Sequence, residues 1–357
     1  MNQNPLRYDP SVEQPADDEA DTGAALIEQL LKISNITYRD SGHATRAVHA
    51  KAHGLLAGTL IVPDGLPPAL AQGLFAKPAG YPVALRFSTP PGDVLPDDVS
   101  LPRGLAIKVS GVEGERLPGA ESDATQDFVL VTGKAFLVSD AKAFLGNLKL
   151  LAATTDKAPG AKEALSALLR GTERVIEALG GESAKIKSLG GYPETHILGE
   201  SFFSQVPIRY GDHIAKIGVF PVSPELVRLT DAPIDLGRDD NALRDAVRAF
   251  FASQSAAWEI RAQLCTDLET MPVEDAAAAW PEDESPYVTV GRIEVPSQDS
   301  WSDAHRAGID EAMAFSPWHC LAAHRPLGQI MRVRRRAYEA SAAFRSERNG
   351  CPVREPG

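Results

Sequence analysis

The chain has 357 residues, enough for one large domain or two ordinary ones. Apolar residues make up 43% and charged residues 24%, the proportions of a globular protein with a real core. With 36 basic against 48 acidic residues the net charge is -12, which excludes a general nucleic-acid-binding surface but not one local basic patch. Three cysteines, Cys265, Cys320 and Cys351, are too few and too scattered for a disulfide framework, and fit a reducing compartment.

Residues 1–22 are acidic and proline-containing, with Asp9, Glu13, Asp17, Asp18, Glu19 and Asp21 against Arg7. They read as a loosely held, flexible arm with no apolar run, so neither a signal peptide nor a membrane span is expected there, and a cytoplasmic location is the default. Residues 23–357 read as one domain. Ala24–Ser34 has the spacing of a helix, and strand-like runs follow over Leu55–Val62, Pro82–Ser88, Gly104–Val109 and Asp127–Val138. In the second run Val83, Leu85 and Phe87 share one face while Ala84, Arg86 and Ser88 share the other, which must meet water or a polar pocket. Lys162–Leu179 is an amphipathic helix by its apolar spacing, ended by Gly180-Gly181. Strand-like text resumes at Ser201–Val206, His213–Val222, Ala257–Cys265 and Tyr287–Val295, with a helix expected over Asn241–Ser253. Eight strands interrupted by helices predict an α+β fold, an antiparallel barrel over about 40–300 with helical additions.

The last part, about 301–350, changes character. His324–Arg345 reads as a helix with Pro326 in its first turn, and Arg334, Tyr338, Ser341 and Arg345 fall on one stripe of it. A basic stripe is usually a solvated face; the tyrosine within it is the odd feature. Metalloprotease, phosphate-loop, dinucleotide and nucleophile-elbow signatures are missing, and His319-Cys320…His324 fits no usual zinc spacing.

Four segments in order carry a resemblance to the haem catalases. Arg46-Ala47-Val48-His49-Ala50-Lys51 resembles the segment bearing the distal histidine. Pro82-Val83-Ala84-Leu85-Arg86-Phe87-Ser88-Thr89 and Leu101-Pro102-Arg103-Gly104-Leu105-Ala106-Ile107-Lys108 resemble two further family motifs. Arg334-xxx-Tyr338-x6-Arg345 has the spacing of the proximal tyrosine motif, and Trp280-Pro-Glu-Asp and Gly291-Arg292 also read like the family. The text His324-Arg325-Pro326-Leu327-Gly328 is closest to the small catalase-related haem proteins, the group of catalase-like peroxidases and allene oxide synthase. The chain ends at Gly357, so the flavodoxin-like domain of the largest catalases is not expected.

The resemblance implies haem b, with Tyr338 as the iron ligand and His49 on the opposite face as acid–base, held by Ser88. A tyrosine is a poor anionic ligand at neutral pH unless a cation stabilises its phenolate, and Arg334 lies one helical turn away. Arg46, Arg86 and Arg345 match positions that pair with the haem propionates, and Phe136 and Phe144 match phenylalanines near the ring. One departure matters. The distal asparagine that polarises peroxide in catalases aligns with Thr132, which offers no amide donor; losing one positioned donor costs about 10²–10³ in rate.

The function implied is haem-dependent hydroperoxide chemistry, a peroxidase with weak catalase activity acting on hydrogen peroxide or an organic or lipid hydroperoxide. The alternatives are a fatty-acid hydroperoxide isomerase or lyase resembling allene oxide synthase, and a haem-binding protein without turnover, which Thr132 favours. No nucleic-acid partner is expected, and a homo-oligomer is compatible with the sequence.

Overall fold

Alternating apolar residues build nine antiparallel strands in the computed structural model, which describes residues 4–99, 101–154, 192–237, 239–352 and 356. These are β1 (Lys51–Val62), β2 (Ala79–Thr89), β3 (Gly104–Ser110), β4 (Thr125–Val131), β5 (Phe202–Phe203), β6 (Ile208–Tyr210), β7 (His213–Pro221), β8 (Ala256–Leu264) and β9 (Val288–Val295). The order is β5-β4-β3-β2-β1-β9-β8-β7-β6. Because β5 also pairs with β7, eight strands close into a barrel and β6 stands outside the ring on β7. The catalase-like α+β fold expected from the sequence is present, and the helix expected over Lys162–Leu179 lies outside the described residues.

Leu56, Leu85, Phe87, Ile107, Phe202, Ile217, Trp258 and Ile293 fill one buried cluster. Each side chain of this size contributes about 1.5–3 kcal/mol relative to leaving it exposed. On β2 the second face is buried as well: Arg86 is 2% and Ser88 3% exposed, so that face meets a polar pocket and not water. The strand expected over Asp127–Val138 stops at Val131, because Gly133 adopts a left-handed φ of 93° and the chain turns. The run expected over Ser201–Val206 contracts to the two residues of β5.

Among the described residues four helices of ten residues or more pack outside the barrel: α1 (Glu19–Ser41), α2 (Ala141–Thr154), α3 (Ala242–Phe251) and α4 (Gln329–Asn349). α1 is longer than its apolar core suggested, since Leu26, Ile33, Ser34 and Thr37 keep one face buried until Gly42 ends it at φ 70°. Leu26 and Ile33 meet Ala141 and Leu148 of α2 and Val333 of α4. α4 begins later than expected: Gly328, at φ 83°, precedes it, and His324 lies in a separate 3-10 turn. A Cβ at 328 would stand 2.6 Å from the Val273 carbonyl oxygen, so glycine fixes where α4 starts.

The N-terminal segment is docked where a loose arm was expected. Leu6, Tyr8 and Val12 pack against the cluster containing Trp280 and Leu327, and the Leu6 amide donates to the Cys265 carbonyl at 2.8 Å. Glu13 accepts from Arg325 and Arg332, and Arg332 also bonds Glu19 and Glu274. Apolar residues scattered among acidic ones hid this anchoring. Among the described residues no helix is long and apolar enough to cross a membrane.

Candidate active site

His49 stands just before β1 with a left-handed φ of 55°, a conformation that non-glycine residues adopt at an energetic cost. Its Nδ1 lies 3.1 Å from Ser88 Oγ on β2. Gly104 opens β3 directly beside the pair. A Cβ there would lie 2.6 Å from the imidazole and 3.0 Å from Ser88 Oγ, so only glycine leaves room for both. Gly104 pairs with Val131, which puts Thr132 at the next position, alongside Arg103. Thr132 is buried, and its Oγ1 accepts from the Arg103 amide at 3.1 Å. Part of His49 is uncovered, yet protein surrounds it at longer range. Burial first, then the charges of Arg86, Arg334 and Arg46, hold its pKa down at about 3, so the imidazole is neutral at physiological pH.

The three arginines matched to propionate positions come together, though not around an open space alone. They converge on Asp310, in the π-helical turn Arg306–Glu311. Asp310 Oδ1 accepts from Arg46 Nη1 at 2.7 Å and from Arg86 Nε at 2.8 Å. Arg86 also donates to the His49 and Ala50 carbonyls, and Arg46 to the Met313 carbonyl. Arg345, from α4, donates to the carbonyls of Asp310, Glu311 and Met313. Burial opposes ionisation of Asp310, but the charges of Arg86 and Arg46 outweigh it and pull the carboxyl down to about 2. Burial, then repulsion from Arg86 and Arg345, pushes the Arg46 guanidinium well below its ordinary range. Sequence reasoning missed Asp310; only the excess of arginine on the helix hinted that a carboxylate was needed.

On α4, Arg334 Nη2 donates to the Tyr338 hydroxyl at 2.5 Å. The Arg334 guanidinium lies 5.2 Å from the Tyr338 ring and 5.9 Å from those of Phe136 and Phe144. The two phenylalanines meet edge to face with centroids 5.3 Å apart. Arg334 and Tyr338 line a cleft, open to solvent, together with Met331, Pro317, Ser204 and Phe128. The cleft wall and His49 are electrostatically connected, because the Arg334 charge contributes to keeping His49 neutral.

The three residues of the His319-Cys320…His324 segment separate. His319 Nδ1 lies 3.2 Å from Asp127, which also takes Lys108 in a fully buried ion pair. Burial pushes the Cys320 thiol up to about 12. His324 Nε2 accepts from the Leu74 amide at 2.9 Å, beneath Phe75 and Tyr210. Each is committed to packing or to a local bond.

No family model matches the chain, and no curated protein matches it. Solved structures do. A fungal catalase superimposes with a TM-score of 0.59 at 16% identity, over 89% of this chain and 61% of the catalase. A bacterial catalase gives 0.60 at 15% identity, over 100% and 66%. Catalase A from Saccharomyces cerevisiae gives 0.59 at 17% identity, over 88% and 63%. The chain thus spans under two thirds of the length of these catalases. With its eight-stranded closed barrel and outer helices, this chain has the catalase-like fold.

Proposed function

We propose that the chain binds haem b and turns it to hydroperoxide chemistry, as a peroxidase with weak catalase activity. The observation that carries the reading is the 2.5 Å bond from Arg334 to Tyr338 at the wall of the cleft, with the neutral His49 within reach of the same Arg334 charge. The residues suit the group. Tyr338 has the oxygen for iron and Arg334 the cation to stabilise it, while Arg46, Arg86 and Arg345 gather positive charge for two propionates. Phe136 and Phe144 offer aromatic surface beside the ligand.

When bound, haem supplies an iron centre able to take up the oxygen of a hydroperoxide. The chain's own residues do the rest. His49, kept neutral by burial and by surrounding arginines, is a free base able to take the hydroperoxide proton and return it to the leaving oxygen. Ser88 and Gly104 hold the imidazole in place. Thr132 stands where an amide donor would strengthen polarisation, and its hydroxyl already serves the Arg103 amide. This is why peroxidase chemistry is favoured over fast disproportionation. Hydrogen peroxide and organic or lipid hydroperoxides are the substrate class, in a soluble, cytoplasmic setting.

The test is Tyr338→Phe. Without the phenolic oxygen, haem binding is lost or the absorption spectrum of the bound iron changes; a wild-type spectrum in the variant removes the ligand assignment.

A further inference from the structure

Three guanidiniums share one corner of the site with one largely buried carboxylate, Asp310; the neighbouring Glu311, which also acts on Arg345, is 41% exposed and paired with His43, so solvent screens it. Arg46 and Arg86 bind the same oxygen of Asp310, and Arg345 reaches main-chain carbonyls of the π-helical turn and of Met313 just after it. Each arginine also has at least one carbonyl anchor that does not depend on the Asp310 side chain: His49 and Ala50 for Arg86, Met313 for Arg46, and Asp310, Glu311 and Met313 for Arg345. Geometry is therefore held largely by the backbone. What Asp310 adds is charge.

We propose that Asp310 is a built-in counter-ion that stands in for a ligand carboxylate and sets the corner's net charge at two positive, matched to a ligand bearing two carboxylates. The inference rests on the haem reading and goes beyond it by assigning a specificity role to a residue of the π-helical turn. Arg46, Arg86 and Arg345 are 16%, 2% and 6% exposed, so their mutual repulsion is poorly screened, and an internal anion stabilises the protein before a ligand arrives. The same anion then opposes an incoming carboxylate. Each guanidinium keeps N–H groups beyond those used by the protein, so the ligand has donors to meet without evicting Asp310.

Asp310→Asn separates charge from shape, since the amide oxygen still accepts from Arg46 and Arg86. The expected result is a lower melting temperature for the ligand-free protein, together with haem b binding tightened about 5–10-fold in an absorption titration, while iron protoporphyrin dimethyl ester binds as it does to wild type. A residue that only shaped the corner would weaken haem b binding; weakened or unchanged affinity in the folded variant overturns the proposal, as does an equal change for the diester. If wild type binds neither porphyrin, the haem reading falls and takes this one with it, a pattern distinct from the others. Should the variant not fold, wild type alone decides: iron coproporphyrin, with four carboxylates, is expected to bind no tighter than haem b, and a tenfold gain overturns the charge match.

Discussion

A methyl group at position 104 would fall 2.6 Å from the His49 ring and 3.0 Å from Ser88 Oγ, so Gly104→Ala must displace one of them. The haem-loaded variant is expected to react with hydrogen peroxide about 10–100-fold more slowly, because small misplacements of an acid–base group cost that much. A stopped-flow rate equal to wild type would show that the imidazole has slack the packing does not suggest. Thr132→Asn should act in the opposite sense. Its Oδ1 can keep the bond now made by Thr132 Oγ1 to the Arg103 amide, and its NH₂ adds the missing donor. Oxygen release from hydrogen peroxide should rise without a spectral change, measured with an oxygen electrode; no gain would place the missing polarisation elsewhere. At this scale the text of the motifs brought His49, Ser88, Arg86 and Tyr338 into view, since each lies in a short contiguous segment, just before β1, on β2 or on α4. Gly104 lay inside a matched motif and Asp310 outside all of them, but the contacts of both are with residues far away in sequence, so the role of neither showed beside it in the chain.

Among the helices, α4 carries the most consequences, because it bears Tyr338, Arg334 and Arg345 and is clamped at its start by Arg332. Arg332 bonds Glu13, Glu19 and Glu274 at once, tying the N-terminal segment, α1 and α4 together. It is 15% exposed, so the network is only partly screened by solvent. Arg332→Ala leaves three carboxylates facing one another and should cost on the order of 2 kcal/mol, with faster proteolysis within residues 4–18. Unchanged melting and cleavage would mean that Leu6, Tyr8 and Val12 hold the segment by packing alone. The length of α1 and the docking of residues 4–18 were hidden in the sequence for a shared reason. Their stabilising partners, Val333, Arg325 and Arg332, lie some three hundred residues later in the chain.

For the molecule as a whole, stability should track two sets of ionisations. Burial first, with help from nearby arginines at His49 and His196, holds His49 at about 3 and His196 and His324 at about 4. In the unfolded chain each takes up a proton near pH ~6.5. The unfolded state therefore binds more protons as pH falls from about 6.5 toward 4, and stability declines through that window. Asp310 works in the acid range: burial opposes its charge, the arginines outweigh burial, and the stability it lends above pH ~4 is lost as pH falls toward 2. Calorimetry should show a plateau between pH ~7 and about 8, where buried Lys216 begins to titrate, a decline below ~6.5 and a steeper one below ~4; a constant melting temperature between 7 and 4.5 would contradict the histidine assignment. The barrel itself was legible, because seven of its strands carry long alternating runs. Its closure was not, because β5 has two residues and their partners come from β4 and β7. That seam joins the ring by pairing with Val131, Gly218 and Val219 and by two bonds between Ser204 and Ile217, and Ser204 and Val206, just beyond it, border the cleft that Tyr338 lines. Few ladder bonds need to break there, so among the eight barrel strands amide exchange should be fastest at β5, and its opening would loosen the cleft while the other seams stay paired. For the haem proposed above, a flat and rigid ligand, this seam would be the point of entry after folding is complete.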